Sequence, residues 1–279
     1  MNTNTIALIL TFLVLIGSGC AGSKSARTHP DDIYGARAYR YFLDGDMPAA
    51  VDLYKRAYAS ARKADRGVLA ARYLSNIGRA FYEMGAADSA SAYSVKAYGE
   101  FIMFSDSLGA SSAAAFLAIC RASSGDGEQA RKWLLAASRP NAPKGRAHYL
   151  AVAKGMVDYR LSSAIDNESA VDAALAYCKK RQDHPMLSTI YILKADVELA
   201  KGNCAAASPY LDSALNSIGK SREKYKGSGA LLKLSAIKLC AGDARAGKHY
   251  YERAVDCAPK GAAVPALEEV SARCERLCR

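Results

Sequence analysis

The chain has one tryptophan, four histidines that stand far apart, and no apolar run long enough to cross a membrane. Each shortage excludes a class of function. His29, His148, His184 and His249 form no HExxH pattern and pair with no carboxylates at ligand spacing, so a zinc-hydrolase constellation is missing. The segments "SGDGEQA" and "KGSGAL" carry two glycines each but follow no predicted strand, which removes a phosphate-cradling loop. The acidic pairs Asp31-Asp32 and Glu268-Glu269 fall at or near predicted helix starts, where compensation of the helix dipole accounts for them. No catalytic group, cofactor site or metal site emerges, and an enzyme is not expected. Nucleic acid is also a poor fit. The net charge of +11 is concentrated in the second half of the chain, but its basic residues are interleaved with acids. Its densest run, "GKSREKYKG" from Gly219 to Gly227, is expected to lie between two helices and contains Glu223.

What is present begins with cysteine. Eight occur, the first in "LVLIGSGCAGSKSA", Leu13 to Ala26. An apolar segment from Ile6 to Ile16, broken only by Thr11, precedes the small residues Gly17, Ser18 and Gly19 and then Cys20. A membrane-spanning helix needs about 20 apolar residues, so this segment fits the apolar region of a secretory signal instead. The pattern resembles the bacterial lipoprotein signal. That resemblance implies a signal peptide over 1–19, lipid attachment at Cys20 and a flexible tether over 20–30. It also implies a place in the bacterial cell envelope, lipid-anchored in the outer membrane and facing the periplasm, since Ala rather than Asp follows the cysteine.

The remainder is rich enough in apolar residues, 51% of the whole, to bury a large core. Tyrosine dominates the aromatics, 17 against 6 phenylalanines, which suits rings packed inside with hydroxyls at the water boundary. Turn signals recur at a fixed interval. Gly45, Gly85 and Gly125 are 40 apart, Ile165 continues the count, and Gly202 and Gly242 resume it after one interval of 37. Each is preceded by an apolar helical run and followed by an Ala-rich one, giving helix, tight turn, helix six times over. Small residues recur around them: Ala38, Ala50 and Ala57 in the first unit, Gly78, Ala90 and Ala97 in the second, Ala118, Ala130 and Ala137 in the third.

The best-formed unit, "LSNIGRAFYEMGAADSASAYSVKA" from Leu74 to Ala97, resembles the tetratricopeptide repeat through Leu74, Ile77, Gly78, Phe81, Gly85, Ala90 and Ala97. The resemblance implies an all-α fold, a right-handed α-α superhelix of about six helix-turn-helix units over 31–261. A C-terminal capping helix over 262–279, introduced by Pro265, covers the open end. Three departures carry expectations. The period of 40 exceeds the family's ~34, which requires longer helices or longer loops. The fourth unit has Asp158 and Ile165 where a small residue and a glycine are expected. In the fifth, Pro209 either kinks the second helix or makes it start late with Ser208 as its cap.

Arrays of this kind bind partner segments along the concave face lined by the first helices of the units. Carried onto this chain, the inward places hold Tyr39, Phe42, Arg72, Asn76, Arg79, Tyr82 and Tyr159. Arg72, Arg79 and Tyr82 fall on one side of a helix and suit an acidic segment of a protein partner in the envelope. The implied function is that of a membrane-anchored, non-catalytic scaffold or adaptor. The alternative is a small-ligand or glycan receptor with the tyrosines converging in a closed cavity. In an antiparallel helix stack the start of one unit's second helix meets the end of the next unit's first helix. Cys204 and Cys240 occupy those places, so a disulfide between them is expected in an exported chain. Cys120 and Cys178 are expected in the core. Cys274 or Cys278 could meet Cys257 or Cys240, and the spacing of "CERLC" does not suit a metal.

Overall fold

A computed structural model describes residues 29–138, 147–166 and 168–277, with side chains described through residue 272. Thirteen helices run through these residues: α1 Pro30–Leu43, α2 Met47–Lys63, α3 Gly67–Glu83, α4 Ala87–Met103, α5 Ser107–Ser123, α6 Gly127–Ala137, α7 Ala147–Ser162, α8 Glu168–Arg181, α9 His184–Ala200, α10 Cys204–Lys220, α11 Gly227–Cys240, α12 Ala244–Asp256 and α13 Leu267–Leu277. Successive helices pack against one another along the chain, and α13 packs on α11. The architecture is an all-α superhelical repeat of six helical hairpins followed by a terminal helix. Cys20, the segment 1–19 and most of the tether lie outside the described residues, as do Cys278 and the side chain of Cys274.

The period comes from one local device used repeatedly. Helices α2, α3, α4 and α5 are each 17 residues long, and each is followed by three residues before the next begins. The chain thus advances by 20 per helix and 40 per hairpin, so the long repeat arises from long helices and not from long loops. In each turn the central residue is left-handed, with φ of 79° at Gly45, Gly85 and Gly125 and 57° at Ser105. The residue after it donates its N–H to the carbonyl five positions back, as Asp106 N does to Phe101 O at 2.9 Å and Asp126 N to Arg121 O at 2.9 Å. Where that residue is an aspartate, its side chain then caps the next helix. The carboxylates of Asp46, Asp106, Asp126, Asp183 and Asp243 each accept from the backbone N–H three residues on. One aspartate therefore ends one helix and starts the next.

The fourth hairpin explains the interval of 37. Helix α7 begins on register at Ala147, but α8 has 14 residues, so α9 begins at His184. The close approach expected at Asp158 has moved one turn back, to Gly155, where a Cβ would come within 3.0 Å of Val171 and 3.2 Å of Leu193. Asp158 instead pairs with Lys154 at 2.6 Å. In the fifth hairpin α10 starts at Cys204 and runs through Pro209, so the late start capped by Ser208 does not occur.

The core is a chain of clusters built from small residues at helix contacts. Ala38, Ala50 and Ala57 are fully buried in the first hairpin, Ala90 and Ala97 in the second, and Ala118, Ala130 and Ala137 in the third. Cys120 and Cys178 are buried among them as free thiols, and burial pushes the Cys120 thiol up to about 12. Cys204 is held in a disulfide.

Candidate functional site: the concave face at the closure of the array

The two ends of the array meet. Lys260, in the connection from α12 to α13, donates its backbone N–H to Gly45 O at 2.8 Å and its Nζ to Asp46 Oδ2 at 2.8 Å, forming a one-residue parallel β-bridge. The site of Gly261 lies 2.9 Å from Met84 Sδ and 3.3 Å from Pro48 Cγ, measured from where a Cβ would stand. The last hairpin's exit is thus seated on the first two hairpins. Beside this seam is a cleft of about 650 Å³ bordered by Arg40, Asp44, Arg222, Lys224 and Asp256.

Just inside the seam, residues of α1, α3 and the α10–α11 connection converge. That connection contains a single 3₁₀ turn, Lys224–Lys226. Tyr225 is 4% exposed and packs in the core of the first hairpins rather than in that of its own unit. Its ring meets Phe42 edge-on at 5.7 Å, and its Cβ fits over Gly45 with 3.1 Å to the site of an absent Cβ. Burial pushes the Tyr225 hydroxyl well above its ordinary range, and the hydroxyl has no hydrogen-bond partner among the described residues. Arg79 lies over the face of Phe42 at 5.6 Å and 3.9 Å from Glu223 Oε1. Lys226 Nζ stands 2.7 Å from Glu223 Oε2 but off the line of a hydrogen bond, leaving that oxygen without one.

Electrostatics tie the same groups together. Desolvation raises the Glu83 carboxyl above its usual range and Glu223 adds to the rise, while Lys226 and Arg79 oppose it. For Arg79 desolvation works downward, but Tyr149, Glu223, Tyr225 and Glu83 together raise it. The protein surrounds Arg79, yet 47% of its side-chain surface still meets solvent, so it is a hydrated cation inside a concave space and not an entombed one.

Of the residues expected on this face, Tyr39, Phe42 and Arg79 come together here. Tyr39 is half exposed and near enough to act on both Tyr54 and Tyr225. Arg72 is exposed and Asn76 half-buried on the same helix as Arg79. Tyr82 is engaged elsewhere: its hydroxyl accepts from Arg160 Nη2 at 2.5 Å, and its ring meets Phe116. Tyr159 lies further along the array, where desolvation and Asp196 raise its hydroxyl. Tyr54 and Tyr73 are core rings 6.1 Å apart, and the Tyr73 hydroxyl donates to Asp31 O at 2.9 Å.

Glu83, Glu223, Tyr225, Lys226 and Lys260 escape the sequence reading. Within the run 219–227, Glu223 and Tyr225 are both buried and form part of the site. The available signal was an aromatic and an acid set inside an otherwise basic stretch.

The chain is similar in fold to the Rap conjugation gene regulator of the plasmid pLS20, solved in complex with the Phr* peptide. The TM-score is 0.59 at 17% identity, over 91% of this chain and 67% of that one. The array is a tetratricopeptide-like solenoid. At that identity the likeness is one of fold alone. No protein-family model and no curated protein matches the chain. Among the described residues, no helix is long and apolar enough to cross a membrane.

Proposed function

We propose that this protein is a non-catalytic helical-repeat scaffold that binds a peptide segment of another protein along its concave face, and that it is lipid-anchored at Cys20 in the bacterial cell envelope. The observation that carries the binding reading is Arg79, a hydrated cation held over the Phe42 ring and facing a carboxylate. A cation backed by an aromatic face recognises an acidic side chain by charge while offering apolar surface to its neighbours. The peptide bound by the structurally similar regulator accords with such a use of the fold. The envelope reading is supported by the apolar run before Cys20 and by the disulfide at Cys204, a bond that persists in oxidising compartments.

Two measurements test the two halves. A photo-crosslinking residue placed at Asn76 on the concave side, and in parallel at the exposed Lys96 of α4, is expected to capture a partner polypeptide at Asn76 alone. Equal capture at both, or none at Asn76, removes the concave-face reading. Intact mass and fractionation of the protein from a diderm host, beside Cys20→Ser, tests the anchor. The unsubstituted chain should carry acyl mass at Cys20 and sediment with membranes, and the variant should do neither. An unmodified soluble product from both removes the envelope assignment.

A further inference from the structure

The α10–α11 connection departs from the three-residue turn that recurs through most of the array. Six residues, 221–226, replace the three-residue left-handed turn, and one of them, Tyr225, packs in the core of the first hairpins. Glycine flanks them at Gly219, whose surroundings are open, and at Gly227. What they deliver to the concave face is a carboxylate and, two residues on, an aromatic ring: Glu223 toward Arg79, Tyr225 against Phe42.

This is the chemistry that the concave face would ask of a partner, met imperfectly by the chain itself. The Arg79–Glu223 separation of 3.9 Å is long for a charge-assisted hydrogen bond. The Tyr225 hydroxyl is buried with no hydrogen bond among the described residues, while Glu223 Oε2 is ion-paired with Lys226 at 2.7 Å. A buried polar atom left unmet is costly, so the occupant is held less well than a segment free to align the same groups. We propose that the 221–226 turn is a built-in stand-in for the partner. The segment recognised by the concave face presents an acidic residue two positions before an aromatic one, and it binds by displacing this turn. The inference rests on the concave-face reading above and adds the identity of the recognised groups and their internal competitor.

The probe is the chain's own turn as a free peptide, residues 219–227 with blocked ends, titrated against the full chain by fluorescence anisotropy. A competitor that fills the site lowers apparent affinity in proportion to its occupancy. Glu223→Gln in the protein weakens the resident turn and is expected to tighten probe binding by about tenfold. Tyr225→Phe removes the unmet hydroxyl, strengthens the resident turn and is expected to weaken probe binding severalfold. Adding Arg79→Gln to Glu223→Gln should abolish the gain. Equal binding by all four proteins at matched far-UV circular dichroism, or no binding by any, overturns the proposal. Hydrogen exchange on the unsubstituted protein is an independent readout: saturating probe should speed exchange of the 222–226 amides, and unchanged exchange counts against displacement. If capture at Asn76 succeeds while the probe fails, the concave face binds partners by other chemistry. If the probe binds and Asn76 captures nothing, the turn is a self-contact and the scaffold reading falls.

Discussion

At the scale of single residues, stability is set by polar groups taken out of water. Asp31 is wholly buried at the first turn of α1, held by Arg66 Nη1 at 2.7 Å, and the same guanidinium holds Asp32 at 2.9 Å. The sequence reads these two acids as dipole compensation, and position in the first turn does supply that. Their larger task is to tie α1 to the start of the second hairpin through Arg66. Breaking a buried pair strands its partner's charge, and Arg66 is a third exposed, so Arg66→Ala is expected to cost about 2 kcal/mol in chemical denaturation. Tyr225→Phe has the opposite sign, because it deletes a buried hydroxyl that has no hydrogen-bond partner among the described residues. A gain of about 1 kcal/mol is expected in the same measurement. Cys120, with its thiol pushed up to about 12 by burial, should resist alkylation at pH 8 in the native protein and react only after denaturation, read by peptide mass.

At the scale of the element, the turns are where sequence and structure agree most closely. A helix of 17 residues closed by a left-handed residue and restarted by an aspartate leaves a periodic mark, so the hairpins and their spacing were legible from Gly45, Gly85, Gly125, Gly202 and Gly242, and the terminal helix from Pro265. The turns between hairpins were harder to see, because they use Asp65, Ser105 and Gln182 at φ of 54° to 57° in place of glycine. That difference predicts a pair of opposite effects. Gly125→Ala meets no neighbour within 4 Å, so its cost is backbone alone, about 1 kcal/mol. Ser105→Gly relieves a left-handed non-glycine residue at the price of chain entropy and should stabilise by a few tenths of a kcal/mol, "about 0.3" in a thermal or urea melt. Asp126→Ala removes a cap from Gln129 N and should cost about 1 kcal/mol.

At the scale of the whole molecule, the site was only half legible. Phe42 and Arg79 could be placed by their position within a repeat. Glu223, Tyr225 and Lys260 could not, because a repeat pattern reports which residues face inward but not how far the array has curved when it ends. The clasp they help form has a defined pH window. Hydrogen bonding to Lys260 holds Asp46 below its ordinary 3.8, so this carboxylate's contribution is present above that value and is lost as pH falls through the lower, folded value. Hydrogen bonding to Asp46 raises Lys260 above its ordinary 10.5, so the ammonium's contribution is present below that value and is lost as pH rises through the higher, folded one. Between the two, small-angle scattering should report one closed shape, with the ends separating at either extreme and the radius of gyration rising. Lys260 is 74% exposed, so salt should weaken its ion pair while leaving the backbone bond to Gly45 intact. In an open array the outermost units have one neighbour each, and unravelling starts there. Here the first hairpin has neighbours on both sides, so fraying has no preferred starting point until the clasp lets go, and the stability of every unit is coupled to that one junction.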